Sequence, residues 1–576
     1  MEQKKGFKIV LLMCLGIFLC MIDTTIMNIA LPAIQSDLNT SLEKMSWILN
    51  VYTMSIAVFA IPLGRIADIF GKAKIYIIGL FIFGLGSMLC AFANSGELLI
   101  LFRFIQSIGA AILFPTAMVI GVSAVPLAKR NKALTILGVT QGLSAAIGPA
   151  VGGVITEQLG WRWVFLVNVP ISIVAIVLCF IMLNIKHEER VQAKIDWIGL
   201  VLCSSTIFSL TLILVKGNDW GWLSSIAWIC YGISIISLIL FITVERKVLE
   251  PMVNLKLFKD RIFVGASFAV VLSNMFLVGV TVLLPTFLTR LQNKTELEAA
   301  FLVTPISGMI FIVSPLAPLL LKRFGKVAVI FAGFLIMSMS YYWLQTIGVY
   351  STNKEIIIPC MLLGIGYGLV VGPITILAAS SFEGEMLTAS QSVVSMLRQF
   401  GIVLAVAVFV SSLTHNISIN TDKVYKYAEE RAQKIQVEKE EQRKILEIAK
   451  TKIESKSVKQ GDQKEPQRDD TILNQEEKSK LIEQKVIETL NTIPVQYQEV
   501  KKEEITKQVT QEVENKMDIM KEQVNAFSDD VNRYTENKMA ESFTDLYKIS
   551  APIILILGFI SFLFYERKRK HEINNS

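Results

Sequence analysis

The sequence contains fourteen long apolar runs, and this feature restricts the chain to one broad class of fold. A helix must have about 20 mainly apolar residues to cross a hydrocarbon layer of roughly 30 Å. Only 18% of the residues are charged, against about 25% in soluble domains. The sequence therefore predicts an all-α integral membrane protein with fourteen transmembrane helices. The runs are 8–33, 46–66, 74–93, 98–123, 133–156, 163–184, 197–216, 223–243, 262–288, 300–321, 327–347, 355–380, 387–413 and 548–566.

Clusters of lysine and arginine occupy alternate connections between the predicted helices. Basic connections of this kind are retained on the cytoplasmic side of a membrane, so the pattern predicts cytoplasmic amino and carboxyl termini. The net charge of +7 then faces anionic lipid, which indicates membrane lipids rather than nucleic acid as its partner. The clusters are Lys4, Lys5 and Lys8; Arg65, Lys72 and Lys74; Lys129, Arg130 and Lys132; Lys186, Arg190 and Lys194; Arg246 to Arg261; Lys322, Arg323 and Lys326; and Arg567 to Lys570.

A polar insert at 414–547 separates the last two apolar runs, and the topology predicts that it lies outside the cytoplasm. Its single glycine and two prolines predict breaks near 459–470 and at 492–495 in an otherwise helical segment. Apolar residues spaced three and four apart follow; we call them the arm stripe. We expect a long antiparallel helical hairpin, and an arm that docks an extracytoplasmic protein partner is the alternative. The arm stripe comprises Ile505, Val509, Val513, Met517, Met520, Val524, Phe527, Val531 and Tyr534.

Three ionisable residues stand out within the predicted spans, away from their ends: Asp23, Arg103 and Arg398. Charges inside a membrane are costly, so such residues are candidates for function. At 1.5 Å per residue, Asp23 lies roughly 13 Å and Arg103 roughly 9 Å from the outer ends of their helices, so the two can meet at one level. Burial favours a neutral carboxyl and a nearby arginine favours the carboxylate, which suits Asp23 to proton exchange. A permanent ion pair and direct contact with a cationic substrate are the alternatives.

The sequence carries no pattern typical of a metal centre, an ATP-driven pump or an enzyme. His187, His415 and His571 are scattered, and the seven cysteines lie in apolar runs without CxxC spacing. A glycine-rich loop ending in Gly-Lys-Ser/Thr, which would hold ATP, does not occur. We therefore expect no bound metal, no cofactor and no enzymatic activity.

Short motifs lie near the ends of several spans. They are Asp23-Thr24-Thr25 continuing to Pro32, Gly64 to Lys72, Arg103 to Ala110, Gly148-Pro149-Ala150-Val151-Gly152-Gly153, Trp161 to Phe165 with Asn168 and Pro170, Asp196 to Gly199, Glu250 to Phe258, and Arg398 to Gly401. In this order, and with fourteen spans, the motifs resemble those of the drug:proton antiporter-2 branch (EmrB/QacA type) of the major facilitator superfamily. The resemblance covers about 1–413 and 548–566.

The resemblance implies a fold of six, two and six helices and a function. It predicts an amino-terminal half at 1–190, two inserted helices at 191–250, a carboxyl-terminal half at 251–413 completed by 548–576, and the insert at 414–547. The halves are expected to rock about a central cavity. The implied activity is proton-coupled antiport that exports hydrophobic and amphipathic compounds (multidrug efflux) from a bacterial cell through its plasma membrane. Proton motive force, and no cofactor, supplies the energy.

The same resemblance implies roles for individual residues. A glycine in the loop motif permits close approach, its aspartate can pair with a base, and the small residues of the antiporter motif permit tight packing around a proline bend. A solvated loop charge and mere tight packing are the alternatives. The predicted sites are proton coupling (Asp23, Arg103), cytoplasmic gate (Gly64, Asp68, Gly71, Lys72), antiporter motif (Gly148, Pro149, Gly152, Gly153) and substrate cavity (Gln106, Gln141, Asn274, Gln391, Arg398).

Departures from the family pattern leave the substrate open. Spans ten and thirteen carry no Asp or Glu, which weakens the case for multivalent cationic drugs, so a neutral, zwitterionic or anionic amphipath fits equally well. Arg398 suits an anionic group. An alternative function is export or flipping of a lipid or cell-envelope precursor, or envelope assembly, through the insert.

Overall fold

The computed structural model of the chain describes residues 2–40, 42–126, 129–185, 188, 195–248, 251, 253–435, 439–456, 475–492 and 494–565, and regular structure within these ranges is entirely helical. The chain divides into two compact units. We call Met1–Ser412 with Thr544–Ser576 the membrane unit and Leu413–Phe543 the arm unit. The basic clusters predicted at Lys186, Arg190, Lys194 and Arg567 to Lys570 lie outside the described residues.

Long helices build the membrane unit, with one short helix, α6, before α7. A π-helical turn, Val406–Val410, leads from α14 into α15 (Ser411–Ala432), and the unit also contains the end of α18 (Val495–Leu557) followed by a 3-10 segment, Gly558–Phe564. In chain order the others are α1 (Glu2–Leu38), α2 (Leu42–Phe70), α3 (Lys72–Ala91), α4 (Gly96–Ser123), α5 (Arg130–Leu159), α6 (Arg162–Leu166), α7 (Asn168–Met182), α8 (Trp197–Trp220), α9 (Ser225–Glu245), α10 (Arg261–Arg290), α11 (Glu296–Phe324), α12 (Lys326–Leu344), α13 (Asn353–Ser380) and α14 (Gly384–Ala405).

Local sequence signals account for where several helices begin. Ser95, Asp196 and Ser224 precede α4, α8 and α9, and each side chain accepts a hydrogen bond from the backbone N–H three residues on. Each bond satisfies one of the donors that a first helical turn leaves free. Thr295 and Thr352 start α11 and α13 with capping boxes, in which a glutamate three residues later bonds back to the threonine backbone.

The helices pack as two groups, and the most extensive contacts between the groups join two helix pairs. In the first group α1 packs against α4 and α5, and α4 also packs against α2 and α3. In the second, α13 packs against α10, α11 and α12, and α10 packs against α14. Contacts of α2 with α14 and of α5 with α11 join the groups, while α8 pairs with α9 and also contacts α2 and α14.

Thirteen helical stretches among the described residues are long and apolar enough to cross a membrane. The predicted fifth span, 133–156, lies within the continuous helix α5, and several side chains of this helix lie outside the described residues. Helix α5 packs between α1 and α11. The chain is an all-helical, multi-span membrane protein, and the count of fourteen spans stays a prediction.

Helices at the outside of the membrane unit expose apolar side chains. Such a surface is far larger than a soluble monomer tolerates and is suited to lipid tails. On α7 and α9 these exposed side chains include Ile173, Val177, Phe180, Ile229, Ile236 and Leu240.

Glycines let α3 and α4 pack with their backbones in contact. A Cβ added at Gly109 would lie 2.5 Å from the Phe83 backbone nitrogen and 2.8 Å from the Gly79 carbonyl oxygen. A Cβ added at Gly86 would lie 2.6 Å from the Cα atom of Gln106. Small residues at such interfaces allow the close approach that holds helices together in a membrane.

The arm unit contains α16 (Lys439–Lys456) and α17 (Gln475–Asn491) together with most of α15 and the first part of α18. Helices α15 and α18 run antiparallel, because Tyr427 stacks on Tyr534 with ring centroids 4.0 Å apart while Asn420 donates to the Lys538 carbonyl oxygen at 3.0 Å. The arm stripe on α18 packs in two apolar clusters. Met520, Val524, Phe527, Val531 and Tyr534 face α15 and α16, whereas Ile505, Val509, Val513 and Met517 face α17.

The arm unit differs from a simple hairpin at 433–435. The chain turns there, and α16 folds back along α15, as the 3.2 Å ion pair between Lys450 and Glu429 indicates. Residues 433–438 contain neither glycine nor proline, so the sequence lacks the usual signal for a turn. The break predicted near 459–470 lies outside the described residues. The turn that follows α15 is therefore a break that the sequence does not predict.

Replacing Gly109 with alanine is expected to destabilise the membrane unit. The new methyl group would collide with the backbone of α3, and overpacking of this kind costs about 1–3 kcal/mol. We expect the melting temperature of the purified protein, measured by differential scanning fluorimetry in detergent, to fall.

Gly232→Ala on α9 is the matched control, because a Cβ there meets no atom within 4 Å and alanine favours a helix. Its melting temperature should stay unchanged or rise slightly. Equal effects in the two variants would contradict the proposed α3–α4 contact.

Candidate functional site

A buried carboxylate on α1 contacts a buried guanidinium on α4. Asp23 is 2% exposed and Arg103 is 1% exposed, and Arg103 Nη1 forms an ion pair with Asp23 Oδ2. The two residues thus meet at one level, as their depths in the sequence predict. An isolated charge in such surroundings would be very costly, whereas a paired and hydrogen-bonded one is tolerated. Their role in proton coupling stays a prediction.

Two amides complete the surroundings of the carboxylate. Gln106 Nε2 donates to Asp23 Oδ1 at 2.8 Å, and Asn168 Nδ2 donates to the same oxygen at 3.2 Å. Asn168 Nδ2 also lies 3.1 Å from Ser87 Oγ. Both oxygens of Asp23 therefore act as acceptors, as those of an ionised carboxylate do. We call Asp23, Arg103, Gln106 and Asn168 the acid network. Helices α1, α4 and α7 supply these residues, and α3 supplies the neighbouring Ser87.

The guanidinium of Arg103 is held on its other sides as well. Its carbon lies 4.2 Å from the centre of the Tyr52 ring and 5.8 Å from that of Phe165, within the range of cation–π attraction. Its Nη1 donates to Gln106 Oε1 at 2.9 Å, and its Nε lies 3.5 Å from the Ile48 carbonyl oxygen. Arg103 is thus positioned by α2 as well as by Asp23.

Sequence reasoning missed Asn168 and assigned Gln106 elsewhere. Gln106 was expected to line the substrate cavity, whereas the structure brings it to the Asp23 carboxylate. Asn168 belongs to a motif already singled out in the sequence, where it was given no role in the site, and it stands in an apolar run. A polar side chain in such a run was the available signal, and distance along the helix did not reveal which residue it faces.

The predicted gate residues lie together at one end of α2, which we call the Asp68 end. Lys72 Nζ lies 2.9 Å from Asp68 Oδ1, and Gly71 between them has φ 109°, a conformation that glycine adopts readily. A Cβ added at Gly64 would lie 2.2 Å from Ser392 Oγ, so α2 and α14 approach closely here.

Two further contacts join the helix groups at the Asp68 end. Thr388 of α14 lies close enough to the Asp68 carboxylate to interact with it. Arg130 at the start of α5 forms a 3.1 Å ion pair with Glu383, which precedes α14. Asp68 and its neighbours therefore occupy a seam between the two groups rather than a free loop.

The antiporter motif lies on faces of α5 that contact two helices. A Cβ added at Gly148 would lie 1.9 Å from Thr25 Oγ1, and one added at Gly152 would lie 3.2 Å from the Ile26 Cα atom. A Cβ added at Gly153 would lie 3.1 Å from a methyl carbon of Leu297 on α11. Helix α5 thus packs against the turn of α1 that follows Asp23. The side chain of Pro149 lies outside the described part of the chain.

The remaining cavity candidates form buried polar contacts around α14. Arg398 Nη1 donates to Gln141 Oε1 across the two helix groups. Tyr367 donates its hydroxyl to Asn274 Oδ1 at 3.0 Å. Gln391 is also buried. The structure thus brings Gln141 and Arg398 together and pairs Asn274 with a tyrosine.

A surface ion pair lies at the end of the bundle opposite the Asp68 end. Asp37, beyond the candidate span of α1, accepts hydrogen bonds from Arg162 Nη1 at 2.6 Å and Trp161 Nε1 at 3.0 Å. These bonds lower the pKa of Asp37 below its usual value. No group of three potential ligands that would hold a metal ion occurs among the residues that the structure describes.

Comparison with known proteins places the chain in a family. The sequence pattern of the Major Facilitator Superfamily matches residues 13–406. The chain is 29% identical to the multidrug transporter protein MdtP of Bacillus subtilis over 74% of this chain and 79% of that protein. It is 27% identical to the riboflavin transporter RibZ of Clostridioides difficile over 73% of this chain and 90% of that protein. It is 28% identical to the probable multidrug resistance protein EmrY of Escherichia coli over 67% of this chain and 75% of that protein.

These matches confirm the resemblance inferred from the motifs, and the matched region holds Asp23, Arg103, Asp68 and Arg398. Transport, rather than chemical conversion, is the activity of this family. The chain belongs to the Major Facilitator Superfamily of membrane transporters.

Proposed function

We propose that this transporter is a proton-coupled antiporter that exports hydrophobic and amphipathic compounds from a bacterial cell. The observation that carries the proposal is the acid network, in which one buried carboxylate, Asp23, contacts groups from α4 and α7. Relatives named as multidrug transporter and multidrug resistance proteins support the substrate class.

Protonation of Asp23 changes this network in a defined way. A proton on the carboxyl removes the negative charge that holds Arg103 and turns one acceptor oxygen into a donor. The ion pair then weakens, and α1 and α4 gain freedom to shift relative to each other. Release of the proton restores the pair. The network thus has two states, and the site's access to water selects between them.

Proton entry supplies sufficient energy for concentrative export. One elementary charge that crosses 100 mV releases about 2.3 kcal/mol, which supports roughly a fifty-fold gradient of cargo. In the proposed orientation both termini are cytoplasmic, the Asp68 end faces the cytoplasm, fourteen helices span the membrane, and the arm unit lies outside. The two helix groups rock about a central cavity.

The Asp68 end acts as the cytoplasmic gate in this proposal. The Lys72–Asp68 pair, the Gly64–Ser392 contact and the Arg130–Glu383 ion pair lie on the seam between the groups. These contacts stabilise the state in which the cytoplasmic mouth is closed, and they must break for cargo to enter from inside.

Removing the titratable group at position 23 is expected to abolish uphill export. Asp23→Asn alone leaves the buried Arg103 without its counter-charge, which destabilises a protein by about 3–5 kcal/mol. The double variant Asp23→Asn/Arg103→Gln removes both charges and is expected to fold more stably. Neither variant should drive ethidium efflux from proteoliposomes against its gradient when a pH difference is imposed.

Asp37→Asn is the matched control, because it removes an exposed carboxylate whose ion pair contributes about 1 kcal/mol or less. It should retain efflux. Undiminished uphill efflux by the folded double variant would exclude Asp23 as the coupling group, and it would favour a permanent structural pair.

Weakening the gate is expected to open the Asp68 end. In Asp68→Asn the attraction between position 68 and Lys72 is lost, so the closed state should become less populated. Spin labels at Lys132 on α5 and Arg323 on α11, both exposed, report the separation of the groups by double electron–electron resonance. All seven native cysteines are buried, so they compete little for the label.

We expect a larger fraction of long distances in Asp68→Asn than in the parent protein. Lys72→Gln should reproduce the shift, because it removes the same ion pair from the other side. Identical distance distributions in all three proteins would contradict the gate.

Deletion of the arm unit distinguishes antiport of drugs from the alternative role in the cell envelope. It forms its own apolar clusters, so its loss need not disturb the transport core. Joining residue 419 to residue 541 through a short glycine-serine linker should leave ethidium efflux intact. Lost efflux from a well-folded deletion protein would instead assign the arm a necessary part in transport.

A further inference from the structure

One buried cation in the membrane unit lacks a carboxylate partner. Arg398 on α14 is only 5% exposed, and no acidic side chain forms an ion pair with it among the residues that the structure describes. Arg103, by contrast, has Asp23. An uncompensated buried charge is costly, so Arg398 calls for an explanation of its own.

Neutral groups surround this guanidinium. Gln141 Oε1 on α5 accepts a hydrogen bond from Nη1, and the Phe114 ring centre lies 5.4 Å from the guanidinium carbon. Tyr367 lies close enough to interact electrostatically. An amide oxygen and a ring face stabilise a cation less than a carboxylate does. The site therefore combines a positive charge, an aromatic wall and a weak, replaceable acceptor.

Further donors lie on the same face of α14. Gln391, Ser395 and Arg398 are spaced by four and three residues, which places them in one row along the helix. All three are at least nine-tenths buried. Gln391 Nε2, Ser395 Oγ and Arg398 Nε have no hydrogen-bond partner within the described chain. Buried polar atoms are rarely left unpaired, so a row of them points to a missing acceptor.

We infer that Arg398 binds the carboxylate of an anionic amphipathic ligand. The planar guanidinium offers two parallel N–H groups, and a carboxylate accepts both at once. Gln391 and Ser395 supply donors along the same row, and Phe114 contacts the apolar body of the ligand. Gln141 occupies the acceptor position when the ligand is absent.

Ligand binding at this site acts on the contact between the helix groups. Gln141 belongs to α5 and Arg398 to α14, so their hydrogen bond joins the two groups. A carboxylate that displaces Gln141 breaks this bond and replaces it with one to the ligand. The inference rests on the proposed function in one respect: it names the anionic amphipath as a cargo of that transporter.

Equilibrium binding to the purified full-length protein tests the inference without transport. The probe is 11-(dansylamino)undecanoic acid, and its methyl ester, which has the same body and no charge, is the matched neutral probe. Arg398→Gln should bind the acid about 10- to 100-fold more weakly than the parent protein, the range for a lost hydrogen bond to a charged group. Binding of the ester should change little.

Gln141→Glu gives a second test that keeps Arg398. The new carboxylate takes the place of the ligand's carboxylate. This variant should therefore also bind the acid at least tenfold more weakly than the parent protein, while its affinity for the ester should change little. Unchanged acid binding in both variants would overturn the inference. An equal loss of acid and ester would also overturn it, since Arg398 would then only support the fold.

The proposed function can fail separately. Asp23→Asn/Arg103→Gln should keep the preference for the acid over the ester while it loses uphill efflux. If that variant exports normally while Arg398→Gln binds the acid more weakly and retains the ester, antiport through Asp23 is wrong and the carboxylate site stands.

Discussion

The buried ion pair between Asp23 and Arg103 is the interaction on which the rest of the site depends. Removing two charges from water costs several kcal/mol for each, and attraction between them offsets that cost only where further hydrogen bonds satisfy the remaining atoms. Gln106 and Asn168 provide those bonds for the carboxylate, and Tyr52 and Phe165 provide a favourable surface for the guanidinium. Each of these neighbours lies where it can stabilise one of the two charges. In our proposal a change in one proton therefore affects five helices at once: α1, α2, α4, α6 and α7.

Small residues transmit this change to the surfaces that must move. Gly148 and Gly152 of α5 lie against Thr25 and Ile26, directly after Asp23 on α1. Gly153 of the same helix lies against α11 in the other group. Since packed interfaces deform little, a shift of α1 requires a shift of α5. In our proposal α5 links the proton site to the seam between the groups, and Gln141 on α5 extends the link to Arg398.

Much of the fold follows from the sequence, because apolar length and basic flanks act locally. The predicted span 133–156, for example, lies within the continuous helix α5. The turn at 433–435 marks a limit of that reasoning, because α16 packs back on α15 after it although the turn contains neither glycine nor proline.

Contacts in the candidate site were likewise predictable from the sequence only in part. Depth along a helix placed Asp23 and Arg103 at one level, since rise per residue is constant. Which way Gln106 and Asn168 face depends on helix rotation and on neighbours distant in the sequence, so their contacts with Asp23 needed the structure. The Gln141–Arg398 bond joins residues 257 positions apart, and spacing carries no information about such a pair.

Proton release on cargo binding tests the central claim most directly. Purified protein in weakly buffered detergent solution, with a soluble pH indicator, is mixed with ethidium or with 11-(dansylamino)undecanoic acid. If Asp23 exchanges its proton for cargo, binding of a transported compound releases protons from the parent protein and none from the folded Asp23→Asn/Arg103→Gln variant. Equal release from both proteins, or saturable cargo binding to the parent protein without any release, would contradict the account.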